Sequence, residues 1–138
     1  MARVLLDTDI FSEVLKGVDQ KVAASASEYH RVFGRYTISV ITVLEVVKGF
    51  HKLGREDRIQ RFVDELASLD VLNLGTQGAQ LAGRMYADLE RTGQTIGRAD
   101  PMIADIAVQH GLALVTGNTS HYQRIVDLGY PLNLDNWR

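Results

Sequence analysis

Two spacings of apolar residues alternate along the chain and sort it into strands and helices. Arg3-Val-Leu-Leu-Asp7 reads as a short buried strand that ends on an acid. Thr8 stands where a cap would open a helix to Lys16, with Gly17 as its stop. Asp19 to Val32 is a second helical stretch, rich in Ala and ending near Gly34. Tyr36-Thr-Ile-Ser-Val40 is β-branched and aromatic and reads as a strand. Ile41 to Leu53 follows as a helix closed by Gly54. Arg55 to Leu69 is amphipathic, with Ile59, Phe62, Val63, Leu66 and Leu69 on one stripe. Val71 to Leu74 is a third strand, and Thr76 to Arg91 a helix with Leu81, Met85 and Leu89 on one face. Asp100-Pro101 opens a helix that Gly111 ends. Leu112-Ala-Leu-Val-Thr116 is the fourth strand, Ser120 to Leu128 a last short helix, and Leu132 to Leu134 an edge strand.

Strands alternating with helices imply an α/β class, with a parallel sheet covered by helices on both faces. The two successive helices before Val71 read as an insertion used for packing or dimerisation. A length of 138 residues, 46% of them apolar, suits a single domain over residues 1–138. No apolar run is long enough to span a bilayer. The N-terminus meets Asp7 and Asp9 before a secretory apolar region could form, so the expected location is the cytoplasm. The absence of cysteine excludes a disulfide framework and a thiolate metal site.

A net charge of -2 and a pI near 6.0 do not advertise nucleic-acid binding, which usually shows as a basic domain. The distribution adds something. Seven of the fifteen Lys and Arg lie between Arg31 and Arg61, and Lys52 is the last lysine. Local basic residues such as Lys48, Lys52 and Arg98 are the expected contacts for a phosphate backbone.

The candidate chemistry is acidic. In open α/β sheets, ligands bind beyond the carboxyl ends of the strands. Asp7 ends the first strand, Glu45 lies one turn into the helix after the second, and Asp100 begins the helix leading to the fourth. Thr116, Asn118 and Ser120 lie at or just past the end of that fourth strand. All can converge on one sheet edge. Three or four oxygen ligands without His or Cys select a hard cation, Mg²⁺ or Mn²⁺. Such an ion can bind a phosphate oxygen and acidify a water that attacks phosphorus.

Taken singly, Asp7 is also explained as a turn residue, and Asp100 before Pro101 as a helix cap. Glu45 is the anomaly, because almost every neighbour in Ile41-Thr-Val-Leu-Glu-Val-Val47 is apolar and a carboxylate there needs a partner or a metal. Asp9 and Asp105 are candidates for a supporting position behind these acids. His110, His121 and His51 read as a helix-end residue and two surface residues.

These residues carry a family resemblance. Asp7 in Leu5-Leu-Asp-Thr-Asp-Ile10, Glu45 in Thr42-Val-Leu-Glu-Val46, Asp100 in Gly97-Arg-Ala-Asp-Pro-Met-Ile-Ala104 and the stretch Leu112 to Tyr122 resemble the PIN domain, in the version found in VapC-type toxins of toxin–antitoxin pairs. The match runs in order through the whole chain, down to Asn136-Trp137. The resemblance implies a three-layer α/β/α fold with a central parallel sheet of four to five strands. It implies Mg²⁺- or Mn²⁺-dependent endoribonuclease activity, a homodimer, and a small antitoxin that blocks the site. Asp7, Glu45 and Asp100 fall on the family's three acidic positions. Ser12 and Thr116 match hydroxyl positions that hold the acids. Asn118 stands where the family often has a fourth acid, and as a weaker candidate ligand it points to one firmly held metal rather than two.

The rivals are specific. A haloacid-dehalogenase-type phosphatase shares the opening Leu6-Asp-Thr-Asp9, but it needs a later lysine, and none follows Lys52. A receiver domain needs an acid where Asn73-Leu-Gly75 ends the third strand. No Walker A or Gly-x-Gly-x-x-Gly loop is present. A non-catalytic PIN-like module binding RNA or protein would keep this fold and lose acids.

Overall fold

The computed structural model describes all 138 residues. Five strands form one parallel sheet: β1 (Val4–Leu6), β2 (Thr37–Ser39), β3 (Asp70–Leu72), β4 (Ala113–Val115) and β5 (Leu134–Asp135). Their order is β3-β2-β1-β4-β5. Seven helices connect them: α1 (Thr8–Lys16), α2 (Gln20–Phe33), α3 (Val40–Lys52), α4 (Glu56–Glu65), α5 (Thr76–Arg91), α6 (Asp100–Gln109) and α7 (Thr119–Asp127). None is long and apolar enough to cross a membrane.

The continuous apolar run of β1 is what a central parallel strand needs, because both of its faces are covered. Its side chains alternate between two cores. Leu5 and Leu114 pack with Met85, Leu89, Ile103 and Ile125 of α5, α6 and α7 on one face. Leu6 and Val115 pack with Ile10, Phe11, Val22 and Tyr29 of α1 and α2 on the other. This is the expected three-layer arrangement, with five strands.

Several local expectations are corrected. Asp7, not Thr8, caps α1, because its Oδ1 accepts the Ile10 N–H at 2.8 Å and satisfies a first-turn donor. Ala99, not Asp100, is the cap residue of α6, and Asp100 is its first helical residue. The amphipathic stretch from Arg55 does not run to Leu69 as one helix. It tightens into a 3₁₀ turn over Leu66–Ser68, and only Phe62 of its apolar stripe is fully buried. The edge strand lies at Leu134–Asp135, slightly later than the apolar pattern suggests, because its register is set by pairing Val115 with Asp135.

The chain leaves β1 toward β2 and β3 on one side, then returns across the sheet to add β4 and β5 on the other. The direction of winding therefore reverses between β1 and β4. Just past the carboxyl ends of these two strands, the connections diverge and leave a crevice. The Asp7 N–H bonds the Val115 carbonyl at 3.0 Å, which fixes Asp7 at the edge of that crevice.

Candidate active site

Asp7 is 3% exposed. Burial is the main force that raises its carboxyl from an ordinary 3.8 to about 6, and the charges of Asp9 and Asp100 add to it. The Ile10 amide and the Thr116 hydroxyl act the other way by bonding the ionised form. Thr116 is itself buried, its amide bonded to the Asp135 carbonyl at 3.0 Å and its Oγ1 accepting the Asn118 N–H at 2.9 Å. The strand β5 thus steadies the residue that steadies Asp7.

Asp100 reaches the crevice from the first turn of α6. Its Oδ2 accepts the Gly97 N–H at 3.1 Å, and its Oδ1 accepts the Tyr122 hydroxyl at 3.1 Å. Burial raises this carboxyl too, and both hydrogen bonds resist the change. Tyr122, from α7, is 1% exposed. Its hydroxyl is pushed well above 10, first by burial and then by Asp100, Asp7 and Glu45. One buried hydroxyl therefore feels all three acids, and at neutral pH it stays protonated and donates.

Glu45 enters from α3 and is half-buried, so its apolar sequence neighbours do not enclose it. Its Oε1 accepts the Thr8 hydroxyl at 2.5 Å. Thr8 Oγ1 lies 2.9 Å from Thr42 Oγ1, and the Thr42 amide donates to Ser39 Oγ at 3.1 Å. A run of hydroxyls from β2 to α1 aims the Glu45 carboxylate.

The remaining candidates are dispersed. Ser12 lines the groove beside Glu45, and its hydroxyl bonds none of the acids; Thr8 reaches Glu45 instead. Asn118 is exposed at the start of α7. Asp9 lies at the rim, where Arg138 pairs with it at 3.2 Å. Asp105 is fully buried on α6 with neither carboxylate oxygen bonded, and it faces Gly78 of α5 rather than the crevice.

The donor set is all oxygen, which suits a hard divalent ion. No three of these acids stand close enough together to grip one ion directly. That still fits Mg²⁺, which takes one or two carboxylates and keeps several waters. The buried Asp7 carboxylate, held near 6 beside Asp100, is the place where a cation would relieve the largest electrostatic cost.

The model of the PIN domain matches residues 4–126. The chain belongs to the PIN-domain family. This PIN domain is 31% identical over 126 residues to the tRNA(fMet)-specific endonuclease VapC of Shigella flexneri, covering 91% of this chain and 93% of that one. It is 30% identical to ribonuclease VapC2 of Haemophilus influenzae, with 99% of each chain covered. Among solved structures it is similar to the DNA-bound VapBC of Salmonella typhimurium, with a TM-score of 0.80 and 28% identity over 100% of both chains. This PIN domain is accordingly a nuclease of the VapC type, from the toxin side of toxin–antitoxin pairs. Such nucleases depend on a divalent metal, and the acids of the crevice fit one.

Proposed function

We propose that the crevice between β1 and β4 cuts RNA phosphodiesters internally, in the cytoplasm, and that Asp7, Glu45 and Asp100 carry the reaction. The observation that carries this reading is the buried Asp7 carboxylate at the carboxyl end of β1, bonded by the Ile10 amide at 2.8 Å and with Asp100, which accepts the buried Tyr122 hydroxyl at 3.1 Å, near enough to act on its charge. Asp7 and Asp100 are the residues that would hold Mg²⁺ or Mn²⁺, with Glu45 acting through water. When bound, the ion supplies positive charge to a phosphate oxygen and lowers the pKa of water. The chain's own residues do the positioning. The Ile10 amide and Thr116 orient Asp7, Gly97 and Tyr122 orient Asp100, and Thr8 holds one oxygen of Glu45 so that the other is left to accept a proton from the attacking water.

Asp7→Asn keeps the cap, since Asn accepts the same amide bond, but it removes the central charge. Several kcal/mol of charge stabilisation are at stake, so cleavage of a tRNA pool should fall by roughly a hundredfold or more while the chain stays folded. Full activity of the wild type after exhaustive EDTA treatment would sink the metal reading.

The partner belongs to the same proposal. A groove of about 750 Å³ runs from Glu45 between α1, α3 and α4. Its walls include Leu15, Phe50, Leu53 and Phe62, and its rim carries Lys16, Arg58 and Arg61. We assign it to the antitoxin, as an apolar segment flanked by acids. The chain is read as a homodimer, which light scattering on the purified protein checks.

A further inference from the structure

Arg138 stands at the rim of the crevice and is bonded to two acids that the reaction does not use. Its guanidinium lies 3.2 and 3.3 Å from the two oxygens of Asp9 and 3.5 Å from Glu13 Oε1. Asp9 and Glu13 are one turn apart on α1, so both carboxylates converge on a single cation. That cation is supplied by the chain. Its placement is built in several ways. β5 pairs with β4, Asn136 Oδ1 accepts the Arg138 N–H at 2.9 Å, and the Trp137 ring packs 5.8 Å from that of Tyr29. The ion pair lies on Gly117, where a Cβ would come 2.9 Å from Asp9 Oδ2 and press on the guanidinium as well.

We propose that Arg138 fills a two-carboxylate cation position formed by Asp9 and Glu13, and so keeps both acids out of divalent-metal binding and limits the chain to one divalent ion. The inference rests on the reading of Asp7 and Asp100 as the holders of that ion. Asp9 follows Asp7 by two residues and its charge already acts on it, so an unpaired Asp9 would lie within electrostatic reach of the ion. A guanidinium is a permanent cation with planar donors matched to carboxylates, whereas a divalent ion would have to displace it from both at once. The pair is partly exposed on both sides, so it adds little to stability and its removal leaves the fold testable.

The experiment counts Mn²⁺ bound per chain, by calorimetric titration and by the electron paramagnetic resonance of free Mn²⁺, on purified chains whose melting curves are recorded in parallel. Wild type should bind one ion. R138M should bind a second, and R138K should bind one. In R138M/D9N the second ion should disappear. D9N alone should bind one, because Asp9 is already withheld by Arg138. If R138M binds a single ion with unchanged affinity, or wild type binds two, the inference is overturned while the Asp7 and Asp100 site stands. If wild type binds none, the site reading fails and takes this inference with it.

Discussion

Asp7 carries two tasks that pull in opposite directions. As the cap of α1 it is rewarded for being ionised, and as a buried residue it is penalised for it. The penalty wins, and the carboxyl rises to about 6. The folded chain therefore holds that proton more tightly than the unfolded chain does. The resulting destabilisation is absent below about pH 3.8 and complete above about 6, and it amounts to about 3 kcal/mol. Metal-free Asp7→Asn should consequently melt higher than wild type at pH 8 and level with it near pH 4. A gap that does not depend on pH would contradict the burial argument. Asp7 and Glu45 were legible in the sequence because one ends an apolar run and the other interrupts one. Tyr122 and Thr8 were not. A hydroxyl's partner is chosen by tertiary packing, and nothing near Ser120-His-Tyr122 signals that Asp100, 22 positions away, accepts from it.

Among the elements, α5 and α6 meet along the contact that carries Asp105. Its carboxylate is fully buried against Gly78, in the first turn of α5, with no hydrogen bond to either oxygen. Burial raises this carboxyl above the ordinary range, while Gln109 and His110 nearby offset part of the effect. As with Asp7, the raised value means a cost that appears as pH climbs past 3.8. Asp105→Asn should raise the melting midpoint at pH 8 by an amount equivalent to about 1–3 kcal/mol, and the gain should vanish near pH 4. Nuclease activity should be unaffected, since the residue faces away from the crevice. The helices themselves were readable. Thr76–Arg91 has the same bounds in the structure as in the apolar periodicity, and Gly17 ends α1 in the left-handed conformation that glycine allows. The cap at Asp100 was misplaced because Pro101 made the preceding acid look like the entry point. The chain instead enters through a turn in which Asp100 bonds back to Gly97, which frees its other oxygen for Tyr122.

For the molecule as a whole, the sheet order decides where Asp7 and Asp100 stand, and exposed apolar residues beside the groove mark the surface proposed for the partner. Val18 and Leu53 are more than 70% exposed beside the groove, and Val63 of the α4 stripe is 44% exposed. The amphipathic stripe read from the sequence is therefore partly surface, with Phe62 buried and Val63 exposed. Leu53→Asp should weaken capture of the proposed antitoxin partner by at least tenfold, while cleavage by the free chain stays at the wild-type rate. Equal capture by both forms, measured by pull-down and titration, would move the partner elsewhere. The order β3-β2-β1-β4-β5 could not be read from the apolar pattern, because all of β1 to β4 are three-residue apolar or mixed runs with nothing to say which are neighbours. The resemblance implied a central parallel sheet of four to five strands, and the order of those strands comes from the structure alone.

The reversal of winding between β1 and β4 also sets a clock. β1 is made first and lies in the middle of the sheet, yet its neighbour β4 and the hydroxyl of Tyr122 arrive only in the last quarter of the chain. Pairing across that separation is slow and comes late. A ribosome that has made the first hundred residues has displayed Asp7 and Glu45 without Thr116, Tyr122 or the strand that aligns them. The crevice is therefore completed only when the last quarter of the chain joins the first strand.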